Sequence, residues 1–389
     1  MPKKKTLKND DIDEKKRLEL YDSQYLIRFA EQRAYDLFLE NLVKGTSHLS
    51  LGQEAIAAGF ATAMQKNDKS FCTYRGHAHT LARGASVVGV LGELMQRDCG
   101  LMRGKGGSMH LTDTSKGVMG SYAIIGAHLP MAVGSAWRAQ YMGHDDVATV
   151  FFGDGTTNIG AFHEALNYAV VYKLPVVFVC ENNNYMEYTP IESITSVKNP
   201  AADRASAYGL DSIIIDGNDA DEVYRTAQAA YAKARSGDGP SLIECKTYRQ
   251  SGHSRADPGA YRPDGELDHW KKNNDPIIRY RKRLIEFGVK QKVIDGIEEN
   301  IKKVGDEATE EAKNSLLKTT WKINQASKLI KLVDSKNYKG KYVLSNDQVT
   351  SILELRLQKL TAIGINAVSY THLRAHETEA DLVCRLLLE

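Results

Sequence analysis

The sequence predicts an α/β fold in which a parallel sheet carries helices on both faces. From residue 146 onward, short apolar runs alternate with helix-like stretches. The runs are apolar at nearly every position, which is typical of strands that are buried on both sides. Strands and helices that alternate along the chain form a parallel sheet through crossover helices.

The chain before this region is predicted to be more irregular. Residues 1–20 are polar and indicate an N-terminal arm, and residues 22–45 have the apolar spacing of an amphipathic helix that ends at Gly45. Residues 46–130 are rich in Gly, His and short polar turns, so we expect loops and short helices there. Loops of this composition often carry functional sites.

The four predicted strands are VATVFF (147–152), PVVFVC (175–180), SIIID (212–216) and SLIECKTY (241–248). Helices are expected at GAFHEALNYAVVYK (160–173), ADEVYRTAQAAYAKARSG (220–237) and DPIIRYRKRLIEFGV (275–289). The stretch GAHLPMAVGSAWRA (126–139) predicts one more helix. That helix either packs in the core or presents a subunit interface.

Composition and charge exclude several classes of protein. The 51 Lys and Arg against 49 Asp and Glu leave no basic field for a nucleic-acid backbone. No apolar run is long enough to span a membrane, and the first twenty residues resemble neither a secretory signal nor a transit peptide. The five cysteines include no Cys-x-x-Cys pair, so we expect a protein of the reducing cytoplasm without disulfides.

Polar side chains follow two neighbouring strands of the predicted sheet. Gly153-Asp154-Gly155 comes after one strand, and Asn182-Asn183 comes after the next. Ligands bind beyond the carboxyl ends of parallel strands, so we expect Asp154 and Asn183 to converge. Their oxygens and a nearby backbone carbonyl suit Mg²⁺. The glycines would let the backbone approach a phosphate, and the following helix would present its N-terminus to it.

Two other interpretations of this stretch are open on the residues alone. Gly-Asp-Gly is also typical of a tight turn, and an Asn-rich run of a polar loop. A Rossmann dinucleotide site is the competing loop chemistry, but no GxGxxG follows a strand with an acid some twenty residues later. The two motifs together, with a helix and a strand between them, resemble the thiamine diphosphate motif that runs from GDG to NN.

Further motifs extend this resemblance along the chain, in order, over roughly residues 15–313. They are GTSHLSLGQEA (45–55), TYRGHAHTLARG (73–84), RGKGGSMHL (103–111), GDGPSLIECKTYR (237–249) and SGHSRADPGAYR (251–262). Together they resemble the alpha subunits of the thiamine diphosphate-dependent 2-oxo acid dehydrogenase complexes, with the acetoin branch closer than the mitochondrial-type pyruvate branch. The resemblance implies a thiamine diphosphate-binding domain over residues 21–315.

The resemblance also implies a set of site residues. Mg²⁺ is then held by Asp154, Asn183 and the backbone carbonyl of Tyr185. The residues implied around the diphosphate are Tyr74, Arg75, Gly155, Thr156, Arg249 and His253. His48 and His253 are implied as catalytic residues that line the channel to the reactive thiazolium carbon.

Three features of the sequence bear on this assignment. Relatives have GIVG where this chain has AIIG (123–126), so the implied cofactor contacts of Ala123 and Ile125 lie in an altered segment. Relatives often have ENNxYG where this chain has ENNNYME (181–187), which is expected to reshape the loop beside the metal. His77, His79 and His110 lack a closing set of Cys or carboxylates, and we interpret them as hydrogen-bonded structural histidines.

The resemblance implies an activity and partners. The cofactor cleaves the substrate, pyruvate, acetoin or another 2-oxo acid, next to its carbonyl and passes the acyl group to a lipoyl-bearing acyltransferase. A glutamate that activates the cofactor comes from a beta subunit in an alpha2-beta2 assembly. A branched-chain 2-oxo acid dehydrogenase subunit and a non-catalytic binding module are the alternatives.

Residues 316–389 fall outside this resemblance. The segments LLKTTWKINQASKLIKLVD and YVLSNDQVTSILELRLQKLTAIG (342–364) resemble a helical part of a DNA gyrase A subunit. Residues 367–389 resemble translated sequencing-adapter read-through. The sequence therefore predicts a helical, chimeric tail that packs poorly on the core. Dense burial of Leu353, Leu355 and Leu360 against residues 146–248 would contradict this prediction. A divergent native extension is the alternative.

Overall fold

Six parallel strands form the central sheet of the protein, in the order β2-β1-β3-β4-β8-β7. The computed structural model describes residues 11–43, 45–318, 320–322, 337–338 and 341–343, with side chains to residue 315. The six strands are β1 (Lys69–Thr73), β2 (Val118–Tyr122), β3 (Ala148–Gly153), β4 (Val176–Asn182), β7 (Ile213–Asp216) and β8 (Ser241–Lys246). A hairpin of β5 (Tyr185–Met186) and β6 (Thr189–Pro190) follows β4.

Ten α-helices lie in the described part of the chain. They are α1 (Glu14–Leu39), α2 (Glu54–Ala63), α3 (His77–Ala82), α4 (Val87–Leu94), α5 (His128–Met142), α6 (Gly160–Val171), α7 (Ala220–Arg235), α8 (Glu266–Asn273), α9 (Pro276–Glu286) and α10 (Gln291–Lys318). Among them, no helix is long and apolar enough to cross a membrane. The predicted α/β class, with helices on both faces of a parallel sheet, is confirmed.

The strands of the sheet are apolar on both faces because helices cover both. Val150 and Phe152 of β3 pack with α5 and α6 on one face. Phe151 packs on the other face with α2 and α7, where its ring meets Phe60 edge-on. Side chains of successive strand residues alternate between faces, so a two-sided core requires an unbroken apolar run. All four predicted strands are observed at the expected places.

The region 46–130 differs from its prediction, because it contains two strands of the sheet. β1 lies between β2 and β3, and β2 forms one edge. Both are five residues long, and β2 contains Gly120 at a φ of 146°. Short strands with small and polar residues lack the continuous apolar pattern that identified the other four.

The first helix begins earlier than predicted. Asp13 caps α1 by accepting a hydrogen bond from the Lys16 backbone N–H at 2.7 Å. Leu20 is fully buried, and Arg17 is buried in an ion pair with Asp221 of α7. Residues 14–20 are therefore part of the packed helix and not a polar arm. Residues 14–20 are mostly charged, so the few apolar positions of their buried helix face do not produce a recognisable amphipathic pattern.

The last helix runs beside the first in the same direction. Tyr21 donates to Glu298 at 2.6 Å near the beginning of both helices, and Lys313 contacts Glu40 at 2.8 Å near the end of both. The two helices are therefore parallel. The buried Ala312 of α10 packs into the same cluster as Leu37. The two helices thus hold the N-terminal and C-terminal parts of the described domain together.

The described part of the tail is not helical after α10. β9 (Thr320–Lys322), β10 (Asn337–Tyr338) and β11 (Lys341–Val343) form a small antiparallel sheet, where the sequence predicts helix. Leu353, Leu355 and Leu360, which the packing prediction names, lie outside the described residues. The chimeric origin of the tail stays a hypothesis.

We predict that His128 makes the protein less stable in acid. Its Nε2 lies 2.8 Å from the Phe151 carbonyl, and its Nδ1 is buried without a partner. Burial lowers the pKa of His128 from 6.5 to about 4. The unfolded chain therefore binds one more proton between these values, and stability is lost as the pH falls below 6.5. The loss should be on the order of 3 kcal/mol.

Urea unfolding at pH 7.5, 6 and 4.5 measures this effect. His128→Gln keeps a donor for the Phe151 carbonyl and should flatten the pH dependence of the unfolding free energy. His144→Gln, which removes a partly exposed imidazole at the end of α5, is the control. Equal acid sensitivity of His128→Gln and the unmodified protein would contradict the assignment.

Candidate active site

A cavity of about 530 Å³ lies at the carboxyl ends of the central strands. β3 and β4 pair in register, with Gly153 opposite Glu181, so Asp154 and Asn183 emerge side by side. The residues that line the cavity are Gln53, Thr73, Tyr74, Arg75, Ile125, Gly153, Asp154, Gly155, Thr156, Asn158, Ile159, Glu181, Asn183, Tyr185, Met186, Glu187, Arg249 and His253. Parallel pairing therefore brings residues far apart in the chain to one edge of the sheet.

Most of the predicted site residues lie in this lining, and two do not. Ala123 follows β2 and is absent from the cavity wall. His48 lies behind the wall, with its ring 4.2 Å from the Tyr74 ring and 5.0 Å from the His253 ring. The three rings form one aromatic cluster beside the cavity. The cofactor and catalytic roles of all these residues remain predictions.

Asp154 is a buried carboxylate with one oxygen unpaired. Its Oδ1 accepts the Gly155 backbone N–H at 2.7 Å, while Oδ2 has no hydrogen-bond partner. Burial raises the pKa of Asp154 to about 6. A buried carboxylate oxygen without a partner carries an energetic cost that a cation would relieve.

Oxygen donors around Asp154 fit a hard cation. The Asn183 side chain donates to Gln53 Oε1 at 3.0 Å, and its Oδ1 accepts the Tyr185 backbone N–H at 3.3 Å. Gln53 therefore orients the carboxamide, a role that sequence reasoning missed although Gln53 stands in the quoted GQEA motif. No cluster of three or more His, Cys, Asp or Glu suited to a metal exists among the described residues. A cation here would depend on a mixed set of oxygens.

The backbone after β3 makes a 3₁₀ turn before α6 begins. Residues Asp154–Asn158 form this turn, so the N–H groups nearest Asp154 belong to it and not to the first turn of α6 as the sequence suggested. A Cβ on Gly155 would lie 2.5 Å from the Met186 side chain. Gly155 thus allows the turn and the hairpin loop to approach closely.

Two buried guanidinium groups lie at the other side of the cavity. Arg75 donates to the Leu49 carbonyl at 2.5 Å and to the His253 carbonyl at 2.9 Å. Arg249 donates to the Glu187 carbonyl at 2.8 Å, and its Nε is buried without a partner. Burial and the Arg249 charge lower the pKa of Arg75 to about 10, so it stays charged at neutral pH. The pair fits an anionic group.

The two candidate catalytic histidines are neutral at pH 7 without a ligand. Burial, with the charges of Arg75 and Arg249, lowers the pKa of His253 to about 4. Burial and Arg75 lower the pKa of His48 to about 2, and its Nδ1 has no partner. Each neutral ring can accept a hydrogen bond at its unprotonated nitrogen.

Two of the three histidines interpreted as structural are buried and hydrogen-bonded. His77 lies between Glu31 Oε2 at 2.9 Å and Ser108 Oγ at 2.7 Å. Ser108 donates to Ser47, the neighbour of His48, at 2.9 Å. His79 contacts Glu181 Oε1 at 3.1 Å. These bonds fix the loop that carries His48 and the carboxylate beside Asn182.

The loop after β4 has an unusual backbone. Met186 pairs with Thr189, which leaves Glu187 and Tyr188 as the two turn residues of the hairpin. Glu187 has a φ of 54°, a conformation that favours glycine and costs about 1 kcal/mol or more for other residues. Burial raises the pKa of Tyr74, and the nearby Glu187 carboxylate adds to the rise. The altered ENNNYME segment thus places a new acid on the cavity wall.

The fold and the cavity define an α/β protein with oxygen-bearing side chains and two buried guanidinium groups at the strand ends. The sequence profile of the family described as "Dehydrogenase E1 component" matches residues 21–320. The chain therefore belongs to the dehydrogenase E1 component family and is an oxidoreductase subunit. Thiamine diphosphate is the cofactor that this family implies.

Similar proteins carry related names. The chain is 39% identical over 297 residues to the alpha subunit of acetoin:2,6-dichlorophenolindophenol oxidoreductase from Bacillus subtilis, covering 75% of this chain and 89% of that protein. It is 37% identical over 306 residues to the pyruvate dehydrogenase E1 component subunit alpha from Zymomonas mobilis, covering 78% and 86%. The mitochondrial pyruvate dehydrogenase E1 component subunit alpha from Saccharomyces cerevisiae is 37% identical over 303 residues, covering 75% and 69%.

We predict that Asp154→Asn stabilises the cation-free protein at pH 8. The substitution removes a buried charge whose Oδ2 has no partner, and the melting temperature should rise by the equivalent of about 1–3 kcal/mol. Asp146→Asn is the control, because Asp146 is also buried but contacts Arg138 at 3.4 Å. Calorimetry in a chelating buffer measures both. An unchanged or lower melting temperature for Asp154→Asn would contradict the prediction that the unpaired Asp154 charge destabilises the cation-free protein.

Proposed function

We propose that this chain is the alpha subunit of a thiamine diphosphate-dependent dehydrogenase that acts on acetoin or pyruvate. The observation that carries the proposal is the buried Asp154 carboxylate, whose Oδ2 has no partner and which lines the cavity together with Asn183 and two arginines. The names of the similar proteins from Bacillus and Zymomonas support the two substrates.

In this proposal, Mg²⁺ is held by Asp154, Asn183 and the Tyr185 carbonyl. Gly155 and Thr156 supply backbone at the diphosphate, and Arg75, Arg249 and His253 supply donors or charge. Bound there, thiamine diphosphate supplies an electron sink for cleavage next to the substrate carbonyl. His253 lines the cavity and, being neutral, can accept a hydrogen bond from a group that enters it. His48 packs against the His253 ring and supports it from outside the cavity.

The proposal includes a beta subunit and a lipoyl-bearing acyltransferase as partners. An alpha subunit of this family implies a beta subunit, and an alpha2-beta2 assembly is proposed. Helix α5 supports such an interface, because one face packs on the sheet while the other exposes large apolar side chains. These are Met131 (49% exposed), Trp137 (49%), Tyr141 (83%) and Met142 (58%). The cytoplasm is the proposed location.

Cofactor binding by the full chain mixed with its cognate beta subunit tests the metal assignment. Calorimetry should show thiamine diphosphate binding that requires Mg²⁺, and Asp154→Asn should weaken it at least about tenfold by removing a charged ligand. Asp146→Asn, which lies outside the cavity, should bind as the unmodified chain does. Equal affinity of the Asp154 variant and the unmodified complex would refute the assignment.

Assembly tests the proposed interface. Tyr141→Lys places a charge on the exposed face of α5 and should weaken association with the beta subunit at least about tenfold, because charges are depleted at interface cores. Ile278→Lys alters a similarly exposed apolar residue on α9 and is the control. Analytical ultracentrifugation measures both. If the Tyr141→Lys variant associated with the beta subunit as tightly as the unmodified chain does, the interface would not include this face of α5.

The tail after α10 is proposed to be foreign to the enzyme. The family profile ends at residue 320, close to the end of α10. A chain ended after residue 320 should therefore bind the cofactor as the full chain does, or more tightly. Loss of binding on truncation would favour a native extension.

A further inference from the structure

The hairpin turn after β4 places an acidic side chain on the wall of the cavity. Glu187 shares this wall with Tyr74 and His253. The Arg249 guanidinium holds the turn by donating to the Glu187 carbonyl at 2.8 Å. The position of Glu187 is therefore fixed by a buried residue of the site, although its own side chain is exposed.

The Glu187 carboxylate has no hydrogen-bond or ion-pair partner among the described residues. Of the other acids of the wall, Glu181 contacts His79, and Asp154, whose Oδ2 also lacks a partner, is the proposed cation ligand. Glu187 lies close enough to Tyr74 to interact with its hydroxyl electrostatically. It also persists at a positive φ that glycine would adopt without strain. A strained residue with a free charged group at a site indicates a role in that site.

We propose that Glu187 is a specificity-determining residue that selects uncharged hydroxyketone substrates over 2-oxo acid anions. Its carboxylate repels a substrate carboxylate and can accept a hydrogen bond from a substrate hydroxyl. The proposal rests on the proposed function, and narrows the two substrates to the uncharged one, acetoin.

The charges around Glu187 leave its repulsion uncompensated. The Arg75 and Arg249 guanidinium groups keep their charges when they donate to backbone carbonyls, but in the proposed function the diphosphate neutralises both. His48 and His253 are neutral. Because the Glu187 side chain is exposed, solvent screens the repulsion, which should weaken the binding of an anionic substrate by about threefold. Specificity can come from such a repulsive element as much as from attraction to the preferred substrate.

Kinetics of the complete complex test the proposal. The full chain with its beta subunit, thiamine diphosphate and Mg²⁺ is assayed on acetoin and on pyruvate, with 2,6-dichlorophenolindophenol as the acceptor. Glu187→Gln removes the charge at nearly constant shape and should raise kcat/KM for pyruvate about threefold or more relative to acetoin. Glu192→Gln, an exposed acid two residues beyond the hairpin strand β6, should leave the ratio unchanged. Glu187→Gly separates backbone strain from charge.

A binding measurement without thiamine diphosphate provides a second readout. Inorganic pyrophosphate with Mg²⁺ is titrated into the complex by calorimetry, and Glu187→Gln should bind it about threefold or more tightly, less so at high salt. Glu192→Gln should not change it.

The outcomes are distinguishable. An unchanged pyruvate-to-acetoin ratio in Glu187→Gln, in a complex that turns over either substrate, would overturn the inference. If the unmodified complex bound the cofactor but turned over neither substrate, the proposed function would fail. The pyrophosphate titration would then test the Glu187 charge separately from turnover. Equal pyrophosphate affinity of Glu187→Gln and the unmodified complex would overturn the role of Glu187.

Discussion

The candidate site depends on the in-register parallel pairing of β3, β4 and β8. Gly153 lies opposite Glu181, and Asn182 lies opposite Lys246, so the three strands end together. The loops that leave these ends carry Asp154, Asn183 and Arg249 to a common edge. A shift of one residue in any pair would turn each side chain to the other face of the sheet. The apolar cores on both faces oppose such a shift.

Polar contacts between loops fix the positions of the residues that the sheet brings together at the candidate site. Gln53 orients Asn183, and the bonds from Glu31 through His77 and Ser108 connect α1 to the residue before His48. These contacts join segments far apart in sequence. Breaking a buried hydrogen bond leaves a polar group without a partner and is unfavourable, so these bonds hold the site in one geometry.

Sequence reasoning succeeded where a local pattern carries the structure. The apolar runs at β3 and β4 and the polar residues after them identify both the sheet and the edge at which the cavity lies. It failed where tertiary contacts decide. β1 and β2 form strands because they pair with each other and β1 also pairs with β3. Residues 14–20 are stabilised as a helix by the buried ion pair of Arg17 with Asp221. The low pKa of His253 depends on burial between two arginines, and the position of Glu187 depends on a turn that glycine would favour.

The parallel packing of α1 and α10 has a practical consequence for labelling the protein. Because Lys313 meets Glu40, the end of α10 lies beside the end of α1, from which the chain continues to His48. α1 has 26 residues and is about 39 Å long. A fluorophore or affinity handle fused after α10 would therefore lie near the segment that leads into the loop of His48. One placed before α1 would lie a helix length away, and is the better choice for binding or kinetic experiments.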